Sequence, residues 1–215
     1  MPVTLHVWRV PRHRIPAAML QLALARRHRG RFVKFLGTSN GFQPQDADLT
    51  RYAAVTVADE PVEYPAWDRL ADERAVVDLE PLSSRGSWSG RRPFGAPAKR
   101  ADGTTLVLTR ARLRPTRALT FWRAIPPVVR ELGTAPGLLA SFGIGEAPIG
   151  WQGTVSVWRD AADLTRFAYR QPEHRAVIAR TPTDRWYAEE LFARFAVRGI
   201  TGDRSVLGWL EEGQT

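Results

Sequence analysis

TLHVWRVPRHRIPAAMLQLALARR (residues 4–27) and TLVLTRARLRPTRALTFWRAIPPVV (residues 105–129) follow one plan: alternating strand, basic turn with proline, then a run of good helix formers. In the first copy Leu5, Val7 and Arg9 share one face of the strand, and Thr4, His6 and Trp8 share the other. Pro11 closes that strand. The helix that follows, Ile15 to Arg29, places Met19, Leu22 and Ala23 on one face and ends in a basic turn that complements the helix dipole. In the second copy the helix spans about Thr116 to Leu132, and Pro126 and Pro127 predict a kink within it.

Reading outward from these two copies, the same order recurs. Residues 31–37 (RFVKFLG) form a short strand with Phe32, Lys34 and Leu36 on one face. A turn-rich loop follows, then a strand over 51–58, a short helix over 66–74 and a strand over 75–82, which is the β-α-β-β-α-β order of a ferredoxin-like unit. After a Ser-, Gly-, Pro- and Arg-rich stretch the order restarts with strands over 104–113, 137–145, 153–158 and 191–197. The chain reads as an α+β protein, a tandem duplication of ferredoxin-like units. Its parts are a first half (1–82), a connecting loop (83–103), a second half (104–199) and a C-terminal tail (200–215). Each four-stranded sheet is apolar on the face away from its helices, so the two sheets are expected to close on each other as an α+β barrel with helices outside. A cleft then lies between sheet and helix or between the halves.

The 215 residues, 44% of them hydrophobic, suffice for one sizeable domain or two small ones sharing a core. No apolar run approaches the ~20 residues that span a bilayer and no cleavable leader pattern opens the chain, so a cytoplasmic protein is expected. The absence of cysteine excludes disulfides, thiolate haem ligation and cysteine nucleophiles. Only His6, His13, His28 and His174 remain as imidazole ligands, and they form no zinc-like cluster. The formal charge of +9 is spread along the chain as arginine, with Lys34 and Lys99 the only lysines. Clusters this short argue against specific nucleic-acid binding and suit an anionic membrane surface or an acidic ligand.

The chemistry is expected within residues 143–195. Thr154, Ser156 and Trp158 alternate with Val155 and Val157, as on a half-buried strand. Asp160 is a candidate N-cap for a helix whose Leu164, Phe167 and Ala168 share a face. Pro172 suits the first turn of a further helix, and places His174 near its start with Val177 and Ile178 close by. That sets an imidazole beside an apolar stripe. The GIGEAP run at Gly143 lacks the third glycine and the strand-turn-helix context of a dinucleotide fingerprint.

Several motifs resemble the spheroidene monooxygenase-like family, whose best-known members oxidise carotenoids in phototrophic bacteria. They are FVKFLGTSNGF (32–42), PLSSRGSWSGRRPF (81–94), LTRARLRP with FWRAIPPV, GIGEAPIGWQGTVSVWRD (143–160), and the His174 to Phe195 run that carries WY and EELFARF. The resemblance covers nearly the whole chain. It implies a haem-containing oxygenase of the dimeric α+β barrel type, with haem b as cofactor and His174, at the position of the family's histidine, as the proximal ligand. Gln152, Glu146 and Trp151 are then candidate distal or substrate-facing residues. Arg85, Arg91, Lys34 and Arg110 are candidate partners of the haem propionates. Trp158, Phe167, Trp186, Tyr187 and Phe195 serve as core or as walls of an apolar pocket.

The implied reaction is oxygen insertion into a small apolar or secondary-metabolite substrate, with electrons from an external donor. Three alternatives stay open: a haem-dependent dehydratase or peroxidase on the same fold, a non-catalytic protein that binds haem or an apolar ligand, and a cofactor-free oxygenase. A duplicated chain supplies both halves of a barrel, so monomer and homodimer are both compatible with it.

Overall fold

The computed structural model describes residues 2–25, 32–41, 44–95, 102–124, 126–146, 151–170 and 186–209. In the first half, β1 (Val3–Arg9), α1 (Ile15–Ala25), β2 (Phe32–Ser39), β3 (Ala47–Val57), α2 (Pro65–Asp68) and β4 (Glu73–Gly86) follow in order. The second half repeats the order with β5 (Thr105–Leu113), α3 (Ala118–Ala124), α4 (Pro126–Gly133), β6 (Leu138–Gly145), β7 (Trp151–Trp158), α5 (Ala161–Arg170) and β8 (Tyr187–Gly202). The eight strands close into one antiparallel barrel in the order β1-β3-β2-β6-β7-β5-β8-β4.

The expected alternations place side chains as the two-residue period requires. Leu5 and Val7 of β1 and Val155 and Val157 of β7 point into the barrel, while Trp8 and Trp158 point out beneath the helices. Asp160 caps α5, its Oδ1 accepting from the Asp163 backbone N–H at 2.8 Å. The second half's first helix is seen as α3 up to Ala124 and α4 from Pro126; the kink expected at Pro126 and Pro127 turns on residue 125, which lies outside the described residues. Three expectations need correction. The helix expected over 66–74 ends at Asp68, because from Glu73 the chain pairs with Arg9 as the start of β4. The last strand, expected over 191–197, runs from Tyr187 to Gly202 because β4 and β5 flank it on both sides. On α1 Ala18 is the buried residue and Met19 is 52% exposed, since a helix that is apolar all round carries no pattern to choose its inner face.

The halves meet along two unequal seams. β4 and β8 pair from Ala75 opposite Gly202 to Gly86 opposite Leu191, whereas β2 meets β6 only over Gly37–Ser39. Buried Arg51 reinforces the short seam. Its guanidinium donates to Thr38 Oγ1 (3.1 Å), the Ser39 carbonyl (3.2 Å) and Asn40 Oδ1 (2.8 Å), and lies 4.9 Å from the Phe142 ring of β6. Gly143 permits this approach, because a Cβ there would stand 2.1 Å from Ser39 Oγ.

Outside the first half, Trp8, Tyr52, Tyr64, Trp67, Phe35 and Ala18 pack into one aromatic cluster. His6 lies within it, 5.5 Å from the Trp8 ring and 5.0 Å from that of Tyr64, and its buried Nε2 has no hydrogen-bond partner among the described residues. Burial holds the imidazole down to about pKa 4; Asp68 opposes the shift and Arg74 adds to it. With the folded value below the unfolded one, the unfolded chain binds the extra proton between these two values, so stability is full above pH 6.5 and falls as the pH drops towards 4. His6 is expected to cost the fold up to about 3 kcal/mol across that window. Urea unfolding at pH 7.5 and pH 5 should show the loss in the parent protein and a smaller loss in His6→Phe; equal losses would place the acid sensitivity elsewhere.

Candidate functional site

Four charged side chains from four strands or strand ends meet at one mouth of the barrel. Lys34 of β2, Arg110 of β5 and Glu189 of β8 occupy inward positions, and Glu146 follows the last residue of β6. Arg110, only 3% exposed, lies between the two carboxylates. Its Nη2 and Nε donate to Glu146 Oε2 at 2.8 and 3.2 Å, and its Nη1 donates to Glu189 Oε2. Lys34 Nζ donates to Glu146 Oε1 at 2.8 Å and to Ser89 Oγ at 2.7 Å. Among the described residues, two positive and two negative groups thus meet in a largely buried site.

The segment after β4 closes this mouth. Ser89 and Gly90 both adopt positive φ, 54° and 71°, as the centre of a two-residue hairpin turn requires, and Trp88 and Arg91 exchange backbone hydrogen bonds across it. The turn drives Trp88 into the barrel end, where it is fully buried with Arg110 and Lys34 about 6 Å from its ring, at 5.9 and 6.0 Å. Glu189 ties the turn down, accepting from the Gly90 N–H at 2.7 Å and the Ser87 hydroxyl at 2.9 Å. Burial pushes the Glu189 carboxyl up, but these donors and the Arg110 guanidinium outweigh it and hold the group at about pKa 2. In Glu146 burial is likewise outweighed by Lys34 and Arg110, and its pKa is lowered.

The barrel interior itself is filled by aliphatic side chains with Phe32, Trp88, Phe94, Phe142 and Phe195. The outer faces of the two halves differ. Across the first half, Arg74, Trp8, Tyr52 and Gly37 stand opposite one another on β4, β1, β3 and β2. The corresponding row of the second half is Phe192, Thr109, Thr154 and Gly143 on β8, β5, β7 and β6. Two buried indole and phenol rings are thus replaced by two half-buried threonines. The aromatic packing of the second half is correspondingly split. One cluster gathers Val107, Trp158, Leu164 and Phe167, and the other gathers Leu113, Phe121 and Trp186. Thr109 lies between Val107 and Leu113 on β5 and marks the gap between the two clusters among the described residues.

Gln152 faces outward beside this gap, and its Oε1 accepts from Trp122 Nε1 of α3 at 3.2 Å. Arg85 and Arg194 flank the Phe192 ring, each with its guanidinium carbon 5.4 Å from the centroid. The buried Arg194 Nε has no hydrogen-bond partner among the described residues. Of the residues expected from sequence, the structure thus gathers Lys34, Arg110 and Glu146 inside the barrel and places Gln152 and Arg85 on its outer face. Arg91 sits 6.0 Å from the Phe32 ring at the mouth. Trp151 pairs with Arg112 at the start of β7, and its side chain lies outside the described residues, as do His174 and the helix expected around it. Glu189, Trp88 and Arg194 were missed. The EE pair of EELFARF and the SWSG turn were visible in sequence, but only strand register assigns Glu189 to the inner face.

Two ferredoxin-like units closed into one antiparallel barrel, with helices outside and a filled interior, define a dimeric α+β barrel protein. No family model matches the chain. The spheroidene monooxygenase of Rhodobacter capsulatus is 34% identical over 209 residues, 87% of this chain and 86% of the relative. That of Cereibacter sphaeroides is 35% identical over 182 residues, 77% of this chain but 55% of the relative, so the chain spans about half of that longer protein. The chain belongs to the spheroidene monooxygenase family and is an oxidoreductase. A solved aldoxime dehydratase shares the fold at a TM-score of 0.54 and 11% identity, covering 91% of this chain and 79% of that one.

Removing the charge of Glu189 should loosen the barrel mouth. Glu189→Gln removes one of the two carboxylates that face Arg110 and is expected to destabilise the protein by about 1–3 kcal/mol. The parent's advantage over this variant should shrink as the pH falls from the ordinary glutamate range towards 2, because a carboxyl with a depressed pKa stabilises the fold only while ionised. Denaturant unfolding at pH 7 and pH 3 checks both; an unchanged midpoint in the variant would show that the turn is held without this carboxylate.

Proposed function

We propose that the protein is a haem-dependent monooxygenase acting on an apolar substrate, and that the gap at Thr109 and Thr154 on the outer face of the second half is where haem and substrate bind. The observation that carries this reading is the exchange of Trp8 and Tyr52 for Thr109 and Thr154 at matching positions of a duplicated sheet. A bulky pair fills one half and a small pair leaves room in the other, between two apolar clusters of the kind that wall a ligand site.

The residues present fit a haem there. The walls are aromatic and aliphatic, and Arg85 and Arg194 stand at one side without a carboxylate partner among the described residues, as propionates require. His174, the family's histidine by motif, is the proposed axial ligand. Bound haem would supply the iron that activates dioxygen, with electrons from an external donor. Gln152 would orient groups at the rim: its Oε1 is occupied by Trp122, which leaves its amide N–H groups directed as donors. Glu146, Lys34 and Arg110 lie on the opposite side of the sheet and would act through it, by holding β2, β5 and the end of β6 in register. The relatives are named for spheroidene, and an apolar polyene of that type is the proposed substrate class.

Haem-reconstituted protein should show a Soret band that shifts on reduction and is lost in His174→Ala. Thr109→Trp, which copies the first half's packing, should abolish haem uptake while leaving the unfolding midpoint unchanged or raised. Full haem binding by Thr109→Trp would remove the gap from consideration, and an unaltered Soret band in His174→Ala would overturn the axial ligand.

A further inference from the structure

We propose that the outer face of α1 is a membrane-docking surface that seats on a bilayer containing anionic lipid. α1 has no charged residue between Ile15 and Ala25. Its packing against the first half's sheet is met by buried Ala18, with Ile15 and Leu22 partly buried on the Trp8–Trp67 cluster. Met19, Leu20 and Leu24 are left over, 52%, 61% and 53% exposed, and the residues between and beside them, Ala17 and Ala23, are exposed as well. Single exposed aliphatic residues are ordinary on a soluble protein; three on consecutive turns of one helix form a continuous apolar surface.

Charge complementarity decides what covers it. Arg12 and His13 are exposed in the turn that leads into α1, and in the sequence Arg26, Arg27, His28 and Arg29 follow Ala25. No aspartate or glutamate precedes Asp46 in the sequence; Arg9, Arg14 and Lys34 of that stretch are ion-paired with carboxylates elsewhere in the fold, so the charge that bears on this surface is that of Arg12 and of the arginines that follow α1 in the sequence. An apolar stripe bracketed by cations is the pattern of a helix lying in the interfacial plane, with aliphatic side chains among the acyl chains and arginines at the headgroup phosphates. A second copy of this chain is disfavoured, because a two-fold contact through α1 would bring the same cations together. Three half-exposed side chains also fall well short of the ~800 Å² that each partner of a stable dimer buries. Apart from Gln21 the helix offers no side-chain hydrogen-bonding group by which a protein partner could be specified. The surface stands on exposure and charge alone and does not depend on the haem or substrate assignment; an apolar substrate dissolved in the bilayer would gain a short route to the protein.

Flotation of the full chain with phosphatidylcholine vesicles, with and without one part in three of phosphatidylglycerol, tests this. The protein should partition onto the anionic vesicles and bind the neutral ones about tenfold less. Leu20→Lys/Leu24→Lys separates insertion from simple attraction, because it adds positive charge while removing the apolar contact. It should weaken binding to anionic vesicles about tenfold with an unchanged thermal transition and sizing profile. The milder Leu20→Gln/Leu24→Gln pair should show the same loss, and gives the reading if the lysine pair fails to fold. Absence of flotation by the parent, binding by the variants equal to or stronger than the parent's, or a dimeric parent made monomeric by these substitutions would each overturn the proposal, the last by showing that α1 faces another copy.

Discussion

Every strand of this barrel buries its inner face against the opposite wall, while helices cover only part of the outer faces, and the rest of the architecture follows from that closure. Closing the two sheets leaves no long unpaired edge, and the interior fills with aliphatic and aromatic side chains at alternate strand positions. A filled interior has no room for a ligand. The outer faces therefore carry the variable content of the fold, and they are where the two halves diverge.

Among the described residues, buried arginines enter this apolar frame at two places. Arg51 stitches the short seam between β2 and β6, and Arg110 bridges Glu146 and Glu189 at a barrel mouth. Neither arrangement is a strong source of net stability, because the desolvation of buried charges offsets much of their attraction. What they supply is register. Arg110 meets its carboxylates only when β5, β8 and the end of β6 stand at the correct heights, and Glu189 then carries the Ser87–Gly90 turn and buried Trp88 with it.

Duplication lets the protein serve as its own control. Trp8 with Tyr52 and Thr109 with Thr154 occupy matching cross-strand positions, so the difference between them reflects side-chain volume and not backbone arrangement. The first half anchors the fold through a continuous aromatic cluster, whereas the described residues of the second half divide into two clusters on either side of Thr109.

Much of the architecture was determined by the chain's local pattern. Period-two alternation set which residues of β1, β2 and β7 share a face, Asp160 marked a cap, and the repeated order of elements implied two ferredoxin-like units closing as a barrel. Lys34, Arg110 and Glu146 could be named as site candidates, but not as one cluster: they are separated by up to 112 positions, and only the closed strand order brings them together. The inner face of α1 was equally unreadable, because a helix apolar on every side has no stripe and packing alone selects Ala18 over Met19. Local sequence governs what a segment is and which of its residues share a face; which faces meet, and where space remains between them, depends on the register of distant strands and is decided only by the assembled barrel.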